Sequence, residues 1–297
     1  MRVDPNLSSL LNAGIQGTEQ ALNTAVQQVA TGQRVNVPSD DPAAAAMNLQ
    51  SLSESASVDR YTKNGEAVLS QAQMADSALS NVVNELNQAI TLGTQGADGS
   101  MTSENRAAIA TQVQSVLSQV VSQANTTLNG ASLFSGTSAA VPAFVADGAS
   151  PTGYSYQGNS GVNNSAVGDN LQVNVNVPGD QVFTNPNGNV LGSLAQLITA
   201  LGSGTTTDIG NAVAEVRSAL TNVSQQRVLY AGVVNQINAQ ESYLSQETIS
   251  LTSQQQSLTG IDMSVAVSNL TQAQIAHSTI LAAAAKVLPT SLLDYLK

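Results

Sequence analysis

The 297 residues include no cysteine and no tryptophan. Without cysteine there is no disulfide framework, no thiolate nucleophile and no zinc–thiolate site. Charge is scarce as well: 10% of residues are charged, against a usual ~25%. Nine Lys and Arg stand against twenty Asp and Glu, a formal net charge of −11. A nucleic-acid binder needs cations to neutralise phosphates, so that class is excluded. No Lys or Arg lies between Arg106 and Arg217, and no basic patch hides in the middle of the chain.

Histidine occurs once, at His277. A Ser-His-Asp arrangement has only that residue to build on, and a metal site lacks a second His, any Cys and any HExxH pattern. His277 falls on an apolar seam beside Gln274 and reads as a hydrogen-bonding histidine at an interface. Asp40-Asp41 begins no calcium loop, because Pro and Ala follow where spaced oxygens are needed. No phosphate loop or dinucleotide fingerprint is present. The expectation is a non-enzyme with no cofactor and no metal. The opening MRVDPNLSSLLNAGI lacks the basic start and continuous apolar core of a secretory signal. ILAAAA, the longest apolar run near the end, is too short to span a bilayer, so no membrane partner is expected. Composition leaves open whether the chain stays in the cytoplasm or leaves without a cleaved signal.

What is abundant is Ala, Ser, Thr, Gln and Asn, which suit close helix packing and wide contacts between subunits. The clearest order lies between Ile209 and Leu258. Steps of seven give Ile209, Val216, Val223, Tyr230, Ile237, Leu244, Leu251 and Leu258. The interleaved line is Val213, Leu220, Arg227, Val234, Glu241, Thr248 and Gln255. This sustained heptad seam contains no proline and predicts one long helix of roughly 75 Å. Its second line turns polar toward the end, which predicts a change of packing partner along the helix.

Three-four spacing marks further helices. One carries Leu11, Ile15, Thr18, Leu22, Ala25 and Val29 and stops at Gly32. A second starts near Pro42 and runs toward Gly93, with Val68, Ala72, Ala75, Leu79, Val82, Leu86 and Ala89 in register. A third, opened by Thr102 or Ser103, carries Ile109, Val113, Val116, Val120 and Leu128. The last follows Gly260-Ile261-Asp262 with Met263, Val267, Leu270, Gln274, His277, Leu281, Ala284 and Leu288. From Gly136 to about Val190 glycine, proline and asparagine multiply. There LQVNVNV alternates with period two, and YSYQG and QVF are further strand candidates. The expected fold is mainly α with a small β insertion: an elongated antiparallel coiled-coil-like rod, its N- and C-terminal helices paired and the β-rich domain at the distal turn. The expected division is terminal helices 1–38 and 261–297, a long-helix rod of 39–135 and 191–260, and an insertion of 136–190.

The stretch VATGQRVNVPSDDPAAAA joins the first two helices. Gly32 is suited to the left-handed conformation that ends a helix. Asp41 is an N-cap with Pro42 at the first helical position, and Asp40 adds negative charge at the positive helix end. The short elbow between them carries Arg34 and Asn36, which are placed to bond loop carbonyls or a neighbouring chain. Its charges read as fasteners of a joint.

TGQRVNVPSDDPAAAA resembles the N-terminal signature of the flagellin family, which comprises bacterial flagellins and hook-filament junction proteins. IDMSVAVSNLTQAQIAHSTILAAAAKVLPTSLLDYLK resembles its C-terminal signature. The ending SLLDYL, together with ASLFSGTSAAVPAF followed by YSYQGN, is more like the junction proteins than flagellin proper. The resemblance covers both ends and the start of the insertion; Asp4-Pro5 departs from the family's usual polar start. It implies type III export without a cleaved signal peptide and an extracellular place in the bacterial flagellum. It also implies assembly as a homo-oligomeric ring against a neighbouring hook-associated protein and flagellin. The terminal helices are then the assembly region, with Leu11, Ile15, Leu22, Val29, Leu270, Leu281, Leu288, Leu292 and Leu296 as interface residues. An export chaperone on the C-terminal helix is implied too. The rival for those leucines is pairing within the chain. The rival functions are a filament-forming flagellin and, more remotely, a cytoplasmic coiled-coil scaffold.

Overall fold

The computed structural model describes residues 5–138 and 142–293, and side chains within 9–138 and 142–286. The order along the chain is α1 (Pro5–Thr31), α2 (Pro42–Gly96), α3 (Ser103–Ala124), β1 (Thr127–Leu128) and β2 (Ala131–Ser132). Next come β3 (Phe144–Ala146), β4 (Tyr154–Tyr156), β5 (Asn164–Ala166), β6 (Gln172–Asn174) and α4 (Gly179–Phe183). Then follow α5 (Val190–Ser203), α6 (Thr206–Thr259) and α7 (Met263–Leu293). The chain divides into two compact units, 1–57 with 246–297, and 58–245. Among the described residues no helix is long and apolar enough to cross a membrane.

In the unit 58–245 the heptad seam of α6 is buried at Ile209, Val216, Val223, Tyr230, Ile237 and Leu244. The second line fades as expected, with Val213 buried, Leu220 and Val234 half-buried and Glu241 exposed. The α2 stripe from Val68 to Ala89 is buried at each of its seven positions. α3 opens at Thr102, whose hydroxyl accepts the Asn105 N–H at 3.2 Å. It packs against α5, burying Ile109, Val113, Val116 and Val120. Leu128 lies outside that helix. Asn125 caps it, and the chain turns into the β1–β2 hairpin, where Asn129 (φ 53) and Gly130 (φ 83) form a two-residue loop. Two successive positive φ values match the turn that suits strand twist.

The segment after α3 forms three antiparallel two-stranded hairpins. β4 falls on YSY, and β6 on the middle of LQVNVNV. The alternation there stops at Asn176, which is buried yet satisfied: its Oδ1 accepts the Asn163 N–H at 2.7 Å and its Nδ2 donates to the Gly161 carbonyl at 3.2 Å. QVF is helical, in α4. Val182 and Phe183 are both buried, which a strand cannot do on one face because neighbours point opposite ways. All three phenylalanines of the chain meet here: Phe183 lies 5.3 Å from Phe134 and 5.4 Å from Phe144, centroid to centroid. Helical side chains hold the segment by its backbone. Asn222 donates to the Val182 carbonyl at 3.0 Å, and the Tyr230 hydroxyl accepts the Val177 N–H at 3.0 Å.

Candidate assembly site

Both chain ends meet in the unit 1–57 with 246–297, where α1 packs against α7. Leu11, Ile15, Thr18, Leu22 and Val29 are half-buried and Ala25 is buried, so the stripe read from the sequence is the inner face of α1. On α7 the inner face is Ala266, Leu270, Ala273, His277, Ile280 and Ala284. Met263, Val267, Gln274 and Leu281 of the expected stripe are exposed. A three-four count that starts at Met263 follows the large residues. The helix buries small ones, since alanine lets two backbones approach closely. Leu288 and Leu292 lie within α7 with their side chains outside the described residues, and Leu296 lies outside them altogether.

Two contacts set the pairing. A Cβ placed on Gly14 would stand 2.5 Å from Ile280 Cδ1, so the Ile280 side chain lies directly over this glycine. One turn along, Thr18 Oγ1 lies 3.2 Å from His277 Nδ1.

The elbow completes the site. Gly32 adopts φ +68 and its N–H donates to the Gln28 carbonyl at 3.0 Å, closing α1. Asp41 is the N-cap of α2: its Oδ1 accepts the Ala44 N–H at 3.0 Å, and Pro42 takes the first helical position. Arg34 Nη1 donates to Asp41 Oδ2 at 3.0 Å, and Nη2 to the Leu258 carbonyl at 3.0 Å. Asn36 Nδ2 donates to the Gln33 carbonyl at 3.0 Å. The Ala44 N–H first, then Arg34, holds the Asp41 carboxyl below its ordinary range. Asp40 acts differently from the expectation. Its Oδ2 accepts the N–H groups of Asn36 and Val37, both at 3.0 Å, and so it folds the elbow's own turn.

The elbow's partner is the chain between α6 and α7. Gln33 pairs with Gly260 as an antiparallel bridge, the Arg34 N–H donates to the Thr259 carbonyl at 2.6 Å, and Ile261 N–H to the Gly32 carbonyl at 3.2 Å. The crossing into α2 and the crossing out of α6 thus form one clasp. Asp262 mirrors Asp41: its Oδ1 accepts the Ser264 N–H at 2.7 Å, opening α7, and that bond lowers its carboxyl. Two Asp caps beside two glycines, Gly32 and Gly260, were the legible trace of this symmetry. Beyond the seam, Leu10, Val26, Met263, Val265, Val267, Ile275 and Leu281 face outward, apolar and exposed.

Residues 6–139 match the bacterial flagellin N-terminal helical region. Over part of its length the chain resembles flagellar hook-associated protein 3 in sequence, and it resembles hook-associated proteins in fold. It is 32% identical over 111 residues to flagellar hook-associated protein 3 of Escherichia coli K12, covering 37% of this chain and 35% of that protein. It is 28% identical over 138 residues to flagellin B of Helicobacter pylori 26695, covering 46% of this chain and 27% of that one. The chain thus spans about a third or less of these relatives' own lengths. A solved structure of a putative flagellar hook-associated protein from Vibrio parahaemolyticus superposes with a TM-score of 0.68 at 20% identity. That match covers 74% of this chain and 99% of the other. FlgL of Bacillus cereus gives 0.60 at 21% identity, covering 70% and 99%. At such identities the structural likeness establishes the fold.

Proposed function

We propose that this protein is a non-enzymatic structural adaptor of the bacterial flagellum that joins hook to filament by packing helices between subunits. The observation that carries the reading is the two-faced terminal pair. α1 and α7 seal one face against each other and present Leu10, Val26, Met263, Val267, Ile275 and Leu281 outward. Exposed apolar side chains at helical spacing are what neighbouring subunits need to bury. Similarity to hook-associated protein 3 supports the junction role. In this reading the subunits form a ring outside the cell, between a neighbouring hook-associated protein and flagellin. The chain leaves by type III export without a cleaved signal, with a chaperone on α7. Leu281 belongs to the partner-facing set.

Matches to flagellins favour a second reading, a filament-forming subunit. Two experiments separate the readings. Immunogold labelling of sheared flagella is expected to mark one band where hook meets filament; label along the whole filament overturns the adaptor reading. Purified protein added to filament fragments is expected not to extend them, and long polymers would favour the flagellin reading.

A further inference from the structure

Within the unit 58–245, α2 and α6 run antiparallel: Gly65 faces Ile237, Asp76 meets Arg227, and Gly93 faces Val213. Their apolar stripes share one three-four repeat, and many of the α2 positions are alanine. Such a pattern is degenerate, because a slide of seven residues again sets apolar against apolar. Chain connectivity does not choose the register either, since residues 97–205 separate the end of α2 from the start of α6.

Arg227 breaks the degeneracy. It stands on the second seam line between Leu220 and Val234, where every other residue from Val213 to Val234 is apolar. Its Nε lies 2.9 Å from Asp76 Oδ1 and its Nη2 3.4 Å from Oδ2, a fork on one carboxylate. The two side chains are 34% and 37% exposed, so the pair in place adds little stability. Its effect is on the alternatives. One heptad of slip sets the guanidinium against Leu69 or Val83 and takes it away from Asp76 by about 10 Å.

We propose that the Arg227–Asp76 pair is the register lock of α2 against α6, and that through it the β-bearing segment is positioned. That segment is anchored from both helices. Asn64 Nδ2 of α2 donates to the Ala166 carbonyl at 2.8 Å and the Tyr61 hydroxyl to Asp169 at 3.0 Å, while Asn222 and Tyr230 of α6 hold Val182 and Val177. In a slipped register the two sets of anchors no longer reach the same segment together.

The absence of cysteine makes the test direct. In the full chain, Gly65→Cys with Ile237→Cys reports the native register. Gly65→Cys with Leu244→Cys, and Val58→Cys with Ile237→Cys, report a slip of one heptad either way. In the parent background only the first pair is expected to cross-link. In Arg227→Met a slipped pair is expected to cross-link and the native one to decline, with helical content unchanged by circular dichroism. Asp76→Arg combined with Arg227→Asp is expected to restore the native cross-link alone. If Arg227→Met loses helical content, Asp76→Asn, which keeps the shape of the side chain, is read instead with the same expectation. A helical variant that cross-links only in the native register overturns the proposal, as does a charge-swapped chain that still slips.

Discussion

Thr18 and His277 meet across the α1–α7 seam with the hydroxyl as acceptor. Thr18 gives its one proton to the Ile15 carbonyl at 3.0 Å, so at 3.2 Å the imidazole Nδ1 carries the hydrogen between them. Thr18→Val keeps the volume and removes the acceptor. It is expected to weaken pairing by about 0.5–1.5 kcal/mol, with Thr18→Ser near the parent. Hydrogen exchange of the α1 amides reads the difference, and nitrogen NMR of His277 at neutral pH is expected to show the Nδ1–H tautomer.

Gly32 separates conformational cost from packing cost. A Cβ there meets nothing within 4 Å, but φ is +68. Gly32→Ala is therefore expected to cost about 1–2 kcal/mol through the backbone alone. Gly32→Asn is expected to cost less, because asparagine tolerates this region. Equal costs for both in thermal unfolding would contradict the left-handed helix stop.

Acid is expected to open the clasp. The carboxyls of Asp41 and Asp262 are both lowered, the first chiefly by the Ala44 N–H and the second by the Ser264 N–H. Depressed folded values mean that these groups stabilise the fold above the ordinary carboxylate range, about pH 4. That contribution is lost as pH falls through the folded values. Asp41→Asn with Asp262→Asn is expected to flatten the fall in unfolding midpoint below pH 5; an unchanged profile would remove these caps as its source.

Tyr230 is almost fully buried between α6 and the hairpin segment. Burial pushes its hydroxyl from 10.0 up to about 12, against a smaller lowering by the Val177 N–H. An acid whose folded pKa is raised stabilises the fold below its unfolded value, so this contribution declines between pH 10 and about 12. Ultraviolet titration of the six tyrosines is expected to lose its latest step in Tyr230→Phe. The same variant leaves the Val177 N–H without an acceptor and is expected to cost about 1–3 kcal/mol.

The outward face of α7 tests assembly apart from folding. Ile275 is 60% exposed, so Ile275→Ser is expected to change stability by less than about 0.5 kcal/mol. Incorporation into flagella and swimming are expected to fall sharply, more so with Leu281→Ser added. Full motility in the double variant would place the assembly surface elsewhere.

Much of this architecture is local and therefore legible. A seven-residue repeat fixes which face of α6 is buried, because helical geometry returns every seventh residue to one side. Asp41-Pro42 after Gly32 fixes a stop and a restart, because caps act within a turn of themselves. Short-range chemistry also separated the hairpin segment from the helices. It did not settle QVF, whose three residues fit either period until Phe183 finds Phe134 and Phe144.

What only the tertiary structure decided are relations between residues far apart in the chain. Arg34 looked like a fastener, but its carbonyl partner, Leu258, lies 224 residues away. Asp40 looked like a helix-end charge and folds a turn instead. The α7 stripe differs because hydrophobicity favours Met263 and Leu281, while the face that meets α1 carries Ala266, Ala273, His277 and Ile280, the last two against Thr18 and Gly14. The sequence determined where helices begin, end and turn their apolar sides, since those follow from nearest neighbours. Which sides meet, and in what register, depends on shape and pairing across the chain, and that required the fold.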